Sequence, residues 1–237
     1  MSVLFIVVFL ISQRYYKSEN ASVDPRIVPA RTLYEKYNGF AAEGQFDSVF
    51  LLMDTIESIY KGIEHYSRSY ELGVIYNNRS AAWLTLALHS QVLDSTERDS
   101  LIILADNAVR KSLDIYTAWE IWSGRMDQAV IADSVSGDFT AAMPNEDEKQ
   151  LNRYIKTRIN ELEDGREEVK RRMSVSYTNL GIVYRYREEY DSAALCYQKA
   201  LELWDRNLTA ENNLNILLGR PLKKRNIIQR MFPPDRL

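Results

Sequence analysis

Ser174 to Asn207 reads SVSYTNLGIVYRYREEYDSAALCYQKALELWDRN. Tyr177, Leu180, Gly181 and Tyr184 recur at intervals of three or four, which puts them on one face of a helix. A second helical pattern follows, with Ala193, Tyr197 and Ala200 on its inner face. Between them, Glu188-Glu189-Tyr190-Asp191 supplies a turn, and Asp191 is a candidate N-cap for the second helix. Gly181 and Ala193 are small, so two antiparallel helices can approach closely, and Tyr197 fills the space beside them. The stretch is therefore a helical hairpin with a defined packing seam.

Counted from Ser174 as position 1, this hairpin resembles a tetratricopeptide repeat over its whole length. The large residue at position 4 is Tyr177, the Leu-Gly pair at 7 and 8 is Leu180-Gly181, and the Tyr at 11 is Tyr184. Ala193, Tyr197 and Ala200 take positions 20, 24 and 27. The family's Pro at position 32 is replaced by Asp205, which removes a helix stop and leaves the packing seam untouched. The resemblance implies an all-α solenoid of stacked helical hairpins in a right-handed superhelix, and a role in binding protein or peptide partners.

A repeat of this kind cannot bury its faces alone, so neighbours are expected. Leu208 to Leu218 continues in register as a capping helix, ended by Gly219-Arg220-Pro221. Ala30 to Ile63 gives a second match. Leu33 and Phe40 take positions 4 and 11, Tyr37 stands where the family has Gly, and Val49, Met53 and Ile56 line the second helix. A third match is placed from Gly73, with Tyr76, Arg79, Ser80 and Trp83 at positions 4, 7, 8 and 11. Its second helix is read as Leu101 to Tyr116, with Ala105, Val109 and Ser112 inside, after a turn near Asp94-Ser95-Thr96.

Residues 125–147 read as an irregular loop following a helix with Trp119 and Trp122 that ends at Gly124. From Leu151 an apolar stripe runs through 155, 159, 162, 169, 173, 177, 180 and 184. That spacing predicts one long helix feeding into the repeat, with a bend at Asp164-Gly165. Glu167 to Arg171 and Glu168 to Arg172 are expected as ion pairs one turn apart. The chain thus divides into an apolar segment at 1–17, a linker at 18–29, degenerate hairpins at 30–124, the loop at 125–147, the long helix, repeat and cap at 148–219, and a basic tail at 220–237.

Val3 to Ile11, VLFIVVFLI, is unbroken apolar sequence. As a helix it spans roughly 14 Å, against a bilayer core of about 30 Å. Three readings stand: the end of a longer anchor, a short anchor, or a segment packed into the fold. The flank Ser12-Gln13-Arg14-Tyr15-Tyr16-Lys17 resembles an interfacial border and favours membrane contact; Arg14 and Lys17 favour a cytoplasmic side for the following chain, and two charges leave the opposite orientation open.

The formal charge of −3 argues against a general nucleic-acid binder, which needs a basic surface to displace counterions. The basic run Arg220 to Arg225 leaves open a soluble regulator that touches nucleic acid or anionic lipid. The lone Cys196 and the well-separated His65 and His89 offer neither a metal set nor a nucleophile with its base, so no catalytic, cofactor or metal site is expected.

The resemblance also nominates an inner face from first-helix positions. In the strong repeat these include Thr178, Ile182, Arg185 and Tyr186; in the amino-terminal one, Arg31, Tyr34 and Asn38; in the middle one, Asn77. The carboxylate clamp of the family's chaperone-binding members needs Lys at position 5 and Asn at 9. Only Asn38 matches, so that activity is not implied. Trp119 and Trp122 have two readings, core packing and a ligand or partner hot spot.

Overall fold

The computed structural model describes residues 22–224. Val3 to Ile11 and residues 225–237 lie outside it. All regular structure among the described residues is helical. In chain order there are α1 (Val28–Ala42), α2 (Phe46–Lys61), a 3-10 turn (Glu64–Tyr66), α3 (Glu71–His89) and α4 (Ser95–Arg125). There follow α5 (Gln128–Ala142), α6 (Glu148–Tyr186), α7 (Tyr190–Leu203) and α8 (Leu208–Leu217). The pairs α1–α2, α3–α4 and α6–α7 pack as hairpins. None of the described helices is long and apolar enough to cross a membrane.

The first and last hairpins turn in the same way. Gly44 and Glu188 both fall at position 15 of their repeats, with φ of 70° and 61°. The amide that follows each donates back to the same position: Gln45 N to Phe40 O at 2.9 Å, and Glu189 N to Tyr184 O at 3.0 Å. A left-handed residue here closes the helix's free carbonyls, and Gly44 adopts it without strain. Asp191 lies in the first turn of α7, whose N-cap is Glu189 rather than the expected Asp191. The capping helix is present, with the Asn207 side chain accepting from Ala210 N at 3.0 Å.

The middle hairpin is displaced from the expected register. Gly181 in α6 faces Tyr197, where an added Cβ would stand 2.7 Å from Cδ1. Gly73 faces Tyr116 in the same way, with an added Cβ 2.7 Å from Cζ. Leu72-Gly73-Val74-Ile75-Tyr76 is therefore the counterpart of Leu180-Gly181-Ile182-Val183-Tyr184. Gly73 stands at position 8, not position 1. Ser112, Tyr116 and Trp119 then take the places of Ala193, Tyr197 and Ala200. Trp119 is far larger than the family's Ala, and Gly165 of α6 makes room for it: an added Cβ there would lie 3.2 Å from the indole. The turn into α4 is where the sequence puts it, with Asp94 and Glu97 forming a reciprocal capping box. Trp83 stacks on Phe50 of α2 at 3.8 Å between ring centroids, and Arg79, assigned to position 7, pairs with Asp54 and Glu57 of α2.

Residues 125–147 are not a loop. Asp127 caps α5 by accepting from Val130 N at 2.9 Å, and Ile131, Val135 and Phe139, one turn apart, are buried. They join α4, α6 and α7 in the largest apolar cluster, around Tyr116, Trp119, Leu162 and Met173. The long helix continues through Asp164-Gly165 without interruption; the glycine serves close approach. Arg166, the gap in the apolar stripe, donates to Ser123 O and Met126 O at 3.1 and 2.9 Å. It satisfies carbonyls at the end of α4. Of the expected ion pairs Glu168–Arg172 forms, while Glu167 pairs with Lys170. The described part of the expected linker is docked: Asp24 is buried, and Arg26 bridges it to Asp138 of α5.

Candidate functional site

The residues nominated for the inner face are mostly engaged within the chain. Arg31 forms an ion pair with Glu161 of α6. The Tyr34 hydroxyl accepts from the Asn78 side chain, and its ring stacks on Tyr37 at 5.6 Å. Burial raises the Tyr34 pKa. Asn38 is exposed. Asn77 is only 8 % exposed, and its Oδ1 accepts from Ser176 Oγ at 3.0 Å and Asn179 Nδ2 at 2.9 Å. Thr178 is 2 % exposed and accepts from Asn207 Nδ2 at 2.9 Å. Asn77 and Thr178 are thus interior residues and not partner-facing ones, because a long α6 brings its own polar groups against α3 and the cap.

Ile182, Arg185 and Tyr186 remain half-exposed. Ile182 and Tyr186 pack on a small cluster with Trp83, Leu84 and Ile102. Arg185 donates to Asn213 of α8 at 2.9 Å, and the Tyr186 hydroxyl donates to Asp99 of α4 at 2.8 Å. The sequence-derived face therefore splits. Its amino-terminal part is crossed by α6, and its carboxy-terminal part keeps a cation, a phenol and an aliphatic side chain within reach of solvent.

The amino-terminal half of α6 carries a residue that the periodicity did not single out. Arg158 is 1 % exposed. Its guanidinium pairs with Glu71 and Glu161, donates to Ser69 Oγ at 2.8 Å, and sits 4.1 Å from the centre of the Tyr66 ring. Burial opposes its charge most strongly, but Glu71, Tyr66 and Glu161 together more than offset that, so its pKa is raised. Glu71 is held ionised in return: burial works against it, but Arg158, with the hydrogen bonds from Ser69 and the backbone, outweighs it and lowers its pKa.

Beside this network a cleft of about 850 Å³ opens between the 3-10 turn, the end of α4, α5 and α6. Its lining includes His65, Arg68, Trp119, Trp122, Asp138 and Leu162. Burial, and next the charge of Arg158, push His65 down to about 4. The unfolded chain takes up this proton near pH 6.5, while the folded chain refuses it until about 4. Stability is therefore complete above pH 6.5 and falls as the pH drops toward 4, by about 2–3 kcal/mol from this group. His65→Gln is expected to flatten that window, read as the urea midpoint at pH 7 against pH 4.5.

Burial pushes the Cys196 thiol up to about 11, so it is no nucleophile at neutral pH. In the described part of the basic tail, Lys223 pairs with Glu211 and its backbone bonds Asn212 in both directions. One cation of that cluster is thus neutralised on α8. Among the described residues no group of His, Cys, Asp and Glu side chains is placed to hold a metal ion.

Comparison with known proteins agrees with the packing. The family model for the tetratricopeptide repeat matches residues 174–207. No curated protein and no solved structure gives a match. Residues 174–207 form one hairpin on α6 and α7, with Gly181 seated against Tyr197 and α8 packed behind. By sequence and by packing, residues 174–207 form a tetratricopeptide repeat, a kind of unit that suggests a protein-interaction module.

Proposed function

We propose that the chain is a non-enzymatic adaptor that holds a protein or peptide partner against the carboxy-terminal part of its inner face, around Ile182, Arg185 and Tyr186. The observation that carries this reading is the matched repeat, whose first helix keeps these three side chains half-exposed. Their internal bonds, to Asn213 and Asp99, are single side-chain contacts. A partner's carbonyls or carboxylates can replace these at little net cost. Asn38 adds an exposed amide to the surface available on α1.

Tethering to a membrane through Val3 to Ile11 belongs to the same proposal. Its support is the sequence: the apolar run and its Arg14–Lys17 flank.

Two measurements test these points. The full chain and an Arg185→Glu/Tyr186→Ala variant are used as bait, with Leu51→Ala, an exposed position on α2, as control. The partner is expected to be retained by wild type and control and lost by the double variant, at unchanged melting temperature. Retention by the double variant overturns the location. For the tether, the full chain is expected to pellet with membranes and a chain starting at Asp24 to stay in the supernatant. A soluble full chain overturns it.

A further inference from the structure

The chain turns back on itself after α8. Gly219 has a φ of 64°. Its amide donates to Ile216 O at 3.2 Å, and that of Arg220 donates to Asn215 O at 2.8 Å, so the left-handed residue closes the helix and reverses the chain. Lys223 then lies beside Asn212. Its N–H donates to Asn212 Oδ1 at 2.8 Å, its carbonyl accepts from Asn212 Nδ2 at 3.0 Å, and its ammonium pairs with Glu211. Residues 219–223 therefore run antiparallel to α8, toward the amino end of that helix.

What lies in that direction is set by α6. The start of α8 sits on Ser174 and Thr178, through Asn207 at 2.8 and 2.9 Å, and its later residue Asn213 sits on Arg185. The two helices are thus parallel, and the returning chain heads for lower numbers on α6. Thr178, Ser174, Arg171, Glu167 and Asp164 recur every three or four residues, so they share the face of α6 that carries α8. Beyond the ends of α7 and α8 that face forms the floor of a trough of about 520 Å³, with Leu203 and Trp204 in its wall. Both wall residues are half-exposed. Glu167 pairs with Lys170 and Glu168 with Arg171, and the exposed Asp164 gives the lining a net negative charge.

We propose that the segment Arg225-Asn226-Ile227-Ile228-Gln229-Arg230-Met231-Phe232 of this chain docks in the trough, as a strap across the amino end of α8. Three features support this occupant. Its chemistry matches: four large apolar side chains suit Leu203 and Trp204, and two arginines suit the acidic floor. Its direction matches, because Lys223 is already pinned facing that way. Its length suffices: at 1.5 Å per residue of helix the trough lies about 20 Å from Asn212, and eight residues reach up to about 26 Å. The strap holds the capping helix down from outside, and its test does not depend on where a protein partner docks.

The test is nitrogen-15 relaxation on the full chain. Backbone order parameters of residues 226–232 are expected near 0.85, the value of rigid backbone, against less than about 0.6 for a free tail. They are expected to fall below about 0.6 in Trp204→Ala, which removes the wall, and over residues 226–231 in Phe232→Ser. Phe232→Ser leaves every described residue intact, so it stays informative even where Trp204→Ala disturbs the end of α7. Tenfold dilution is expected to change nothing. Values below about 0.6 in the wild-type protein overturn the proposal. So does order that survives either substitution, or order that is lost on dilution, which would assign the trough to a second copy of the chain.

Discussion

Gly73→Ala and Gly181→Ala are each expected to destabilise the protein by about 1–3 kcal/mol, the range for overpacking a closely fitted site. Both glycines lie inside helices, where alanine would ordinarily gain up to about 1 kcal/mol. The sign reverses because each helix leans on a tyrosine ring with no room for a methyl group. An added Cβ would fall 2.7 Å from Tyr116 Cζ in one case and 2.7 Å from Tyr197 Cδ1 in the other. Neither ring can swing away, since Tyr116 is 1 % and Tyr197 0 % exposed. Gly39→Ala is the control: it is helical and exposed, with nothing within 4 Å of the added carbon, and is expected to be neutral or stabilising. Urea unfolding of the three variants checks the set. A harmless Gly73→Ala would reject the equivalence of Leu72-Gly73 with Leu180-Gly181.

Arg158→Met carries the largest expected loss, about 3–5 kcal/mol. The substitution leaves Glu71 beside Ser69 and Tyr66 with its cation gone, and an ionised group in that setting must be desolvated without compensation. At this chain length the loss corresponds to a melting temperature lower by about 10 °C. Glu71→Gln added to Arg158→Met removes the orphaned charge and is expected to recover more than half of the loss. The coupling read from that cycle separates the ion pair from the packing of the arginine stem. Equal stability of the single and double variants would show that the guanidinium stabilises through Tyr66 and Glu161 alone.

How far these features were legible in the sequence depends on how local their causes are. The repeat at 174–207 was legible because its Gly, Ala and Tyr sit at fixed short spacings. The carboxy-terminal cap and the first hairpin followed from the same pattern, whereas the left-handed residues at Gly44 and Glu188 that close both turns are set by backbone geometry the spacing does not show. The second hairpin was misaligned because its arms extend well past the repeat's normal turn. Leu72-Gly73 therefore lies far in sequence from the Tyr116 that identifies it. The α5 segment was missed because Ile131, Val135 and Phe139 are its only buried side chains and Gly137 interrupts the pattern; the N-cap Asp127 was its clearest local signal. Arg158 could not be read as interior, because what permits its burial comes from Glu71 and Ser69, far away in the chain.

The inner face failed to follow the family pattern for the same tertiary reason. The nominated positions assume that first helices of successive hairpins stand side by side around open solvent. Here α6 is extended toward its amino terminus by the residues that lead into the repeat, and that extension reaches α1. Arg31, at a groove position, meets Glu161 of α6, while Tyr34 meets Asn78 of α3. One helix thus serves as the first helix of the repeat and, through Glu161, as a contact for α1, while the surface proposed for a partner lies around Arg185 and Tyr186 near its other end.

The most direct test of that double role is proximity between Arg31 and Glu161. Arg31→Cys and Glu161→Cys are combined in a Cys196→Ser background and treated with a short bismaleimide under native conditions. A cross-link within one chain is expected, absent in strong urea and in either single-cysteine variant. Complete labelling of both thiols as separate single adducts, with no cross-link, would show that α6 does not contact α1.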